Sequence, residues 1–358
     1  MKRSPLLAVF GAGLLAAVTA SAQDRNRFLA GIWPDELITF DQDALKFEKI
    51  GNLRHGAATN QNATADTRFF TFVTGRMEAV EIFDSAEMAV VDDFRLSDDG
   101  TRVRFMSATP SPDGRRIFVV PIVVGLEPDR FLHQTPGEIW VYDREQREVT
   151  QRLPLGEADD WRPNIHFSPD GSKVYLVNQQ IVELDGETLE ETDRVQIDRP
   201  LAPGYGGVRG HSLSEIEPGR LFGLYRTSEP RQGMDLFGVL EIRLPEKTFS
   251  YYEVGPEMRL SQFVLSPDGK RGYAGLNDAA VIDMEAREVI LRRRGFERGR
   301  TNTSMIVSAD GSRLFVSGVG DTMWVYDAET LEPETEIFAG GDFMIAPREI
   351  RYRATAGN

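Results

Sequence analysis

A short repeated unit constrains the fold of this chain most strongly: a Ser-Pro-Asp-Gly turn, or a close variant of it, followed by an alternating strand. The copies are LSDDGTRVRF (96–105), PSPDGRRIFVV (110–120), FSPDGSKVYLV (167–177), LSPDGKRGYAGL (265–276) and VSADGSRLFVSG (307–318). In such a turn proline presets φ, aspartate bonds to the local backbone, and glycine accepts a positive φ. The apolar and polar residues that follow alternate with the period of a strand. Each copy therefore predicts a tight turn that leads into a β-strand.

A second element follows most copies: an apolar strand, an acidic turn and another strand. It reads IWVYDREQREVTQRL from Ile139, IVELDGETLEETDRVQI from Ile181, AVIDMEAREVILRR from Ala280 and MWVYDAETLEPETEI from Met323. Together the two elements predict an antiparallel sheet of about four strands, which cannot bury both of its faces alone. A ring of such sheets can.

The units number seven, and they start near Leu29, Thr67, Pro110, Trp161, Gly210, Ser261 and Asn302. Seven units in the 336 residues from 23 to 358 average 336/7 = 48 residues each, and units of about 40–50 residues with four strands are typical of β-propellers. We predict an all-β, seven-bladed propeller of four-stranded antiparallel blades. A six-bladed ring is the main alternative, and an eight-bladed ring is the other. The final segment, residues 347–354, alternates without a hairpin partner, so it is predicted to complete the first blade and close the ring.

The first 22 residues have the pattern of a secretory signal peptide. Lys2 and Arg3 precede an apolar run, and Ala20-Ser21-Ala22 gives the small-x-small pattern of a cleavage site. The run is too short to span a membrane. We expect cleavage after residue 22, a single propeller domain over residues 23–358, and a periplasmic or secreted location.

The composition excludes several classes of function. The chain has no cysteine, so it cannot attach a c-type haem covalently or build thiolate zinc or iron–sulfur sites. The formal charge of −15 becomes −17 when Lys2 and Arg3 leave with the signal peptide. A surface of that charge repels nucleic acid and anionic membranes. Any redox chemistry in which this chain takes part is expected to use groups on another chain.

The connections that lead into the innermost strands are rich in Arg, His, Asn and Trp. From them we select candidate contacts to a ligand or partner at the channel mouth: His55, Asp160, Trp161, Arg162, His166, Arg209 and His211. Trp161 and Arg162 either stack on and pair with such a ligand or partner, or Trp161 packs between blades. The histidine spacings give no support to a metal site. We predict no catalytic residue and no metal ligand.

Two insertions interrupt otherwise short loops, at residues 125–138 and 226–238. Both contain apolar residues among charged ones, which is the composition of a protein interface core with a polar rim. We expect Phe131, Leu132, Met234 and Phe237 to contact a partner protein.

The S-P-D-G units and the (V/I)-Y-D-x-E-T-L-E elements, taken together, resemble those of YVTN-type exported β-propellers. The order of the insertions and the closing PREIRYR segment resemble the β chain of quinohaemoprotein amine dehydrogenase and, more distantly, the heavy chain of methylamine dehydrogenase. This resemblance implies a periplasmic scaffold subunit without a redox cofactor. Its partners would be a small subunit with a tryptophan-derived quinone and a c-type cytochrome subunit. The alternatives are a lactonase-like or lyase-like enzyme that uses channel residues, and a periplasmic binding or assembly module.

Overall fold

The computed structural model describes residues 27–133, 137–155, 163–229, 233–256, 260–276, 278–294 and 302–352. Over these residues the chain forms seven antiparallel sheets, six of four strands and one of five. The described helical structure is a single 3₁₀ turn at Gly75–Met77. Each sheet is one blade of a propeller, so the predicted all-β, seven-bladed fold is confirmed.

The strands of the first three blades have the following bounds. Blade one contains β1 (Arg27–Ile32), β2 (Glu36–Asp41), β3 (Lys46–Asn52) and the last strand of the chain, β29 (Phe343–Glu349). Blade two contains β4 (Asn60–Ala63), β5 (Phe69–Thr74), β6 (Ala79–Asp84) and β7 (Ala89–Phe94). Blade three contains β8 (Thr101–Pro110), β9 (Arg116–Leu126), the short β10 (Phe131–His133), β11 (Glu138–Asp143) and β12 (Glu148–Pro154).

The remaining four blades each have four strands. Blade four contains β13 (Asn164–Phe167), β14 (Lys173–Val177), β15 (Gln180–Asp185) and β16 (Glu191–Gln196). Blade five contains β17 (Arg209–Glu217), β18 (Arg220–Glu229), β19 (Met234–Arg243) and β20 (Thr248–Pro256). Blade six contains β21 (Leu260–Leu265), β22 (Arg271–Leu276), β23 (Ala279–Asp283) and β24 (Glu288–Arg293). Blade seven contains β25 (Asn302–Val307), β26 (Arg313–Gly318), β27 (Thr322–Asp327) and β28 (Pro333–Phe338).

The C-terminal strand closes the ring, as predicted. In blade one the strand order is β29-β1-β2-β3, with Phe28 opposite Glu349 and Ile32 opposite Phe343. The strand occupies Phe343–Glu349, a few residues earlier than the predicted 347–354. Residues 351 and 352 leave the sheet, because their backbone N–H groups donate to Thr67 Oγ1 instead. The strand that closes the ring is therefore centred near Ile345, whose side chain is buried.

Each blade packs against both of its neighbours through an apolar core. At the closure, Phe40 of blade one meets Phe315 of blade seven with ring centroids 5.0 Å apart in an edge-to-face arrangement. Between blades two and three, Phe94 stacks on Tyr142 at 3.8 Å. Because neighbours cover both faces of the middle strands, β5 and β6 are buried at every position. The outer strands have one solvent side, and β24 alternates exposed and half-buried residues.

The S-P-D-G motif forms the turn between the first and second strands of a blade. In blade four, Ser168 Oγ donates to Asp170 Oδ1 at 2.7 Å, and the Lys173 amide donates back to Ser168 Oγ at 2.9 Å. Gly171 has a φ of 71°. The hydrogen bonds from Ser168 and Ser172 lower the pKa of Asp170 to about 2. The motif is thus a self-contained network of local hydrogen bonds.

Blade two forms the same turn from a sequence that shows no S-P-D-G. Thr64 Oγ1 donates to Asp66 Oδ1 at 2.6 Å, the Phe69 amide donates to Thr64 Oγ1 at 3.1 Å, and Thr67 takes the glycine position with a φ of 58°. The predicted copy of the turn at 96–105 does not join the first two strands of a blade. Its turn residues lie in the connection from blade two to blade three, before β8. Asp-Gly sequences favour turns of more than one kind, which explains this misassignment.

The ring has two distinct faces. The turn face carries the turns between the third and fourth strands of each blade and, in blades two to seven, the turns between the first and second strands. The loop face carries the connections between blades and the hairpins between second and third strands. The two predicted insertions extend the hairpins of blades three and five on the loop face: β10 pairs with the end of β9, and β18 pairs with β19 as far as Glu229 and Met234.

Candidate functional site

The inner strands of the seven blades surround a central channel of about 1530 Å³. Its lining comes mainly from the innermost strand of every blade and from the adjoining residues of the turn face, with Phe28 of β1 and two residues of β18 in addition. The inner strands are β4, β8, β13, β17, β21, β25 and β29. Side chains from distant parts of the sequence therefore meet here.

A histidine and a glutamate pair across two blades at the channel wall. His166 on β13 places Nδ1 2.9 Å from Oε2 of Glu215 on β17, and the two side chains are 12% and 15% exposed. An ionised carboxylate can only accept hydrogen bonds, so Nδ1 carries the proton. Glu215 fixes the orientation of the imidazole, and Nε2 is buried without a partner among the described residues.

Glu215 reaches this position because blade five departs from the repeated turn. Instead of S-P-D-G, a Pro218-Gly219 turn joins Glu217 directly to Arg220, and the strand is irregular between Glu215 and Glu217. Gly219 has a φ of 77°, and its amide donates to Glu215 Oε1 at 2.7 Å. Both carboxylate oxygens are thus occupied by donors.

The surroundings keep Glu215 ionised. Burial acts to raise the pKa of this carboxyl group, but the hydrogen bond and charge interaction with His166, the Gly219 amide and the charge of Arg348 together lower the pKa below its ordinary value of 4.5. The pair is therefore a carboxylate that orients an imidazole, an arrangement that suits proton transfer or ligand binding at Nε2.

Arg348 on β29 also lines the channel. Burial and the neighbouring charge of Arg351 lower the pKa of its guanidinium, and the charge of Glu215 partly offsets them. Among the described residues Arg348 makes no hydrogen bond or ion pair within the distance of a direct contact. Arg351, in contrast, lies 3.2 Å from a carboxylate oxygen of Glu349.

Two further polar atoms at the channel wall lack partners. Gln61 Nε2 on β4 and Ser107 Oγ on β8 are buried, and no described residue hydrogen-bonds to them. Most buried polar atoms in proteins are hydrogen-bonded, so such atoms beside a cavity indicate contact with something other than the protein. In the described part of the chain, no three His, Asp or Glu side chains come together in a way that could hold a metal ion.

The structure places the predicted channel-mouth residues in several environments. His166 lines the channel. His55 lies elsewhere, near the outer strand of blade two, with Nε2 2.7 Å from Asp93 Oδ2. Arg209 lines a separate cleft of about 400 Å³ between blades four and five. The backbone of His211 belongs to β17, and Asp160, Trp161 and Arg162 lie outside the described residues.

The predicted docking residues also divide. Phe131 and Leu132, on β10, are 76% and 46% exposed. Met234 is half-buried at the tip of the blade-five hairpin. Phe237 is buried in the core between blades five and six, because this position of β19 faces the neighbouring sheet. Its side chain contributes to blade packing.

Exposed apolar side chains concentrate on the loop face. Among the described residues, the large apolar side chains that are more than a third exposed are Trp33, Phe131, Leu132, Leu201, Ile290, Val319 and Phe338. Five of these seven lie in hairpins or interblade connections of the loop face, Phe338 is the last residue of the outer strand β28, where that strand reaches the loop face, and Ile290 lies on the outer strand β24. Around the closure, Trp33, Val319 and Phe338 surround the connection from blade seven to blade one. The Trp33 amide donates to Asp342 O in that connection.

Sequence reasoning did not select Glu215, Arg348, Gln61 or Ser107. One signal was present for Glu215, since the E-P-G sequence at residues 217–219 breaks the repeat. The other three residues have no local signal, because only the ring brings their strands together.

The fold is similar to that of several solved proteins at low sequence identity. Dihydro-haem d1 dehydrogenase NirN, in complex with DHE, is 16% identical over 92% of this chain and 76% of that chain, with a TM-score of 0.57. Hydrazine synthase of Kuenenia stuttgartiensis is 12% identical over 90% and 94%, with a TM-score of 0.53. A functionally unknown protein from Desulfotomaculum acetoxidans is 12% identical over 90% and 98%, with a TM-score of 0.55. No family model matches the sequence, and no curated protein is significantly similar to it.

The described part of the chain has no helix long and apolar enough to cross a membrane.

Proposed function

We propose that this propeller is a periplasmic scaffold subunit that has no redox cofactor of its own and docks a redox partner on its loop face. The observation that carries the proposal is the concentration of exposed apolar side chains on that face. Large apolar side chains exposed in this way mark interaction surfaces when they cluster. The resemblance to amine dehydrogenase propellers implies that the partners are a quinone-bearing small subunit and a c-type cytochrome subunit. NirN, a propeller of similar fold, is itself a dehydrogenase, which is consistent with a redox role.

The hairpin of blade three provides the sharpest test. The double variant Phe131→Ser/Leu132→Ser removes two exposed apolar side chains from the loop face. The control variant Ile290→Ser removes one apolar side chain, 47% exposed, from the outer strand β24. The tagged full-length protein would be purified from its native host, and its haem absorbance and quinone staining measured. We expect the wild type and Ile290→Ser to recover the redox partner and the double variant to lose it.

Two results would contradict the proposal. One is recovery of the wild-type propeller alone as a monomer. The other is equal partner recovery by the double variant and the wild type, which would move the interface away from this hairpin. Recovery of a partner without haem or quinone would favour the binding or assembly module.

The pairing of His166 with Glu215 favours a second candidate function, a lactonase-like or lyase-like enzyme. The carboxylate holds the imidazole with Nε2 available to accept a proton from a bound substrate. A screen of lactones and other hydrolase and lyase substrates, with His166→Ala as the comparison, tests this candidate. Turnover that is absent from the His166→Ala variant would support it, and no turnover by the wild type would count against it.

A further inference from the structure

The channel contains a cationic group that the described protein leaves without a partner. Arg348 lines the channel near the turn face, and its guanidinium has five N–H donors. None of them contacts an acceptor among the described residues. Its closest charged neighbours include a second guanidinium, that of Arg351, which acts against its positive charge. Arg348 is half-buried at the channel wall, and a guanidinium that is partly withdrawn from water is stabilised by an acceptor, so this position indicates an anion that binds here.

The acidic side chains of the channel wall are already engaged with other donors. Glu215 accepts from His166 and Gly219, and Glu349 pairs with Arg351. The remaining acidic side chains of the wall, which are bonded to turn residues or to Arg220, are Asp66, Glu217 and Asp268. Their local bonds leave Arg348 as the free cation of the described channel wall.

The atoms without partners supply matching hydrogen bonds. Gln61 Nε2 donates, and Ser107 Oγ can donate or accept. His166 Nε2, which Glu215 orients, can accept from a hydroxyl group or, when protonated, donate to an oxygen. These side chains extend from the inner strands of blades two, three and four, and Arg348 extends from blade one. Together they offer one charge and several polar contacts.

We infer that the channel binds a small monocarboxylate, with Arg348 as its charge partner. The acidic residues at the turn-face rim favour one negative charge over several, because each further charge on the ligand meets their repulsion. The His166 and Ser107 groups favour a ligand that also carries a hydroxyl group, such as a 2-hydroxy acid. The site lies between the inner strands, away from the loop-face hairpins, and it does not depend on the docking proposal.

Lactate is a suitable probe, with lactamide as its neutral counterpart and citrate as a polyanion. Binding to the full mature protein would be measured by saturation-transfer NMR and by the shift of Tm, with sodium chloride keeping the ionic strength constant. We expect lactate to bind and to raise Tm, lactamide to have little effect, and citrate to bind more weakly than lactate. Replacing Arg348 by Gln should weaken lactate binding by about tenfold, since a hydrogen bond to a charged group contributes about that factor.

Matched variants separate the site from general effects of charge. Arg102→Gln removes an exposed arginine that pairs with Glu78, and it should leave lactate affinity unchanged. Arg348→Lys should retain part of the affinity. Gln61→Leu, which removes an unpaired donor without removing charge, should weaken binding by about threefold and serves if Arg348→Gln does not fold.

Several results would overturn the inference. They are no binding of lactate to the wild type, equal binding of lactate and lactamide, an equal loss in Arg102→Gln and Arg348→Gln, or tighter binding of citrate than of lactate. Unchanged affinity in both Arg348→Gln and Gln61→Leu would place any bound anion elsewhere.

Discussion

Replacing Glu215 by Ala should destabilise the propeller at pH 7 far more than replacing its neighbour Glu217. The change leaves two donors of the channel wall without acceptors: His166 Nδ1–H, 2.9 Å from the carboxylate, and the Gly219 amide, 2.7 Å from it. Each buried donor left unpaired costs about 1–3 kcal/mol, so for two donors we expect a loss of about 2–6 kcal/mol in the free energy of unfolding. Glu217 is 61% exposed in its pair with Arg220, and its loss should cost less than about 1 kcal/mol.

The destabilisation should depend on pH in a defined direction. The folded protein lowers the pKa of Glu215 below 4.5, so its ionised form stabilises the fold above that pH. The stabilisation is lost as the pH falls through the folded pKa. Urea unfolding at pH 7 and at pH 3 would therefore show a large gap between wild type and Glu215→Ala at pH 7 and a smaller gap at pH 3. A gap no larger than that of Glu217→Ala, or one that grows toward pH 3, would refute the reasoning.

Three further changes test the blade architecture by their effect on Tm and urea unfolding. Gly114→Ala should destabilise the protein by about 2 kcal/mol or more, because φ at this position is 69° and a Cβ would lie 2.4 Å from the Phe69 ring. Gly269→Ala is the control: φ is 70° but the space around it is open, so this change should cost only about 1 kcal/mol. Equal losses would contradict the steric argument. Glu81→Gln should cost about 2–3 kcal/mol, because the buried carboxylate accepts two backbone amides of the connection from blade one; an effect below about 0.5 kcal/mol would contradict this role. Ile345→Asp should open the ring closure by placing a charge in the core between blades one and two, and hydrogen exchange of β1 amides should accelerate; unchanged exchange would contradict the closure.

The blade count and most strands could be predicted from the sequence because their causes are local. A Ser-Pro-Asp-Gly turn such as that at Ser168 sets its own φ values and hydrogen bonds within six residues. The alternation of apolar and polar residues then indicates which strands have one face exposed to solvent. The prediction was less accurate where the same geometry has another sequence, as at Thr64 to Thr67, and where the same letters serve another purpose, as at residues 96–100.

The candidate site could be predicted only in part. His166 was selected because it belongs to a connection that leads into an inner strand. His55 was selected for the same reason, yet it lies near the rim and pairs with Asp93. A connection between blades runs from an outer strand to the next inner strand, so a residue in it can lie at any distance from the channel. Phe237 was grouped with Phe131 from composition, and the pairing of β19 with its neighbours placed it in a core instead.

The sequence by itself determined the repeated turn, the alternation of each strand and the number of units, since these depend on interactions among residues a few positions apart. Only the tertiary structure decided which side chains share the channel. His166, Glu215 and Arg348 come from blades four, five and one, and their approach depends on ring closure by β29 and on the irregular strand β17, which ends at Glu217. The alternation of the last segment indicated that it completes the first blade, but the side chains that then meet across the channel depend on the packing of all seven blades together, which no local stretch of the sequence encodes.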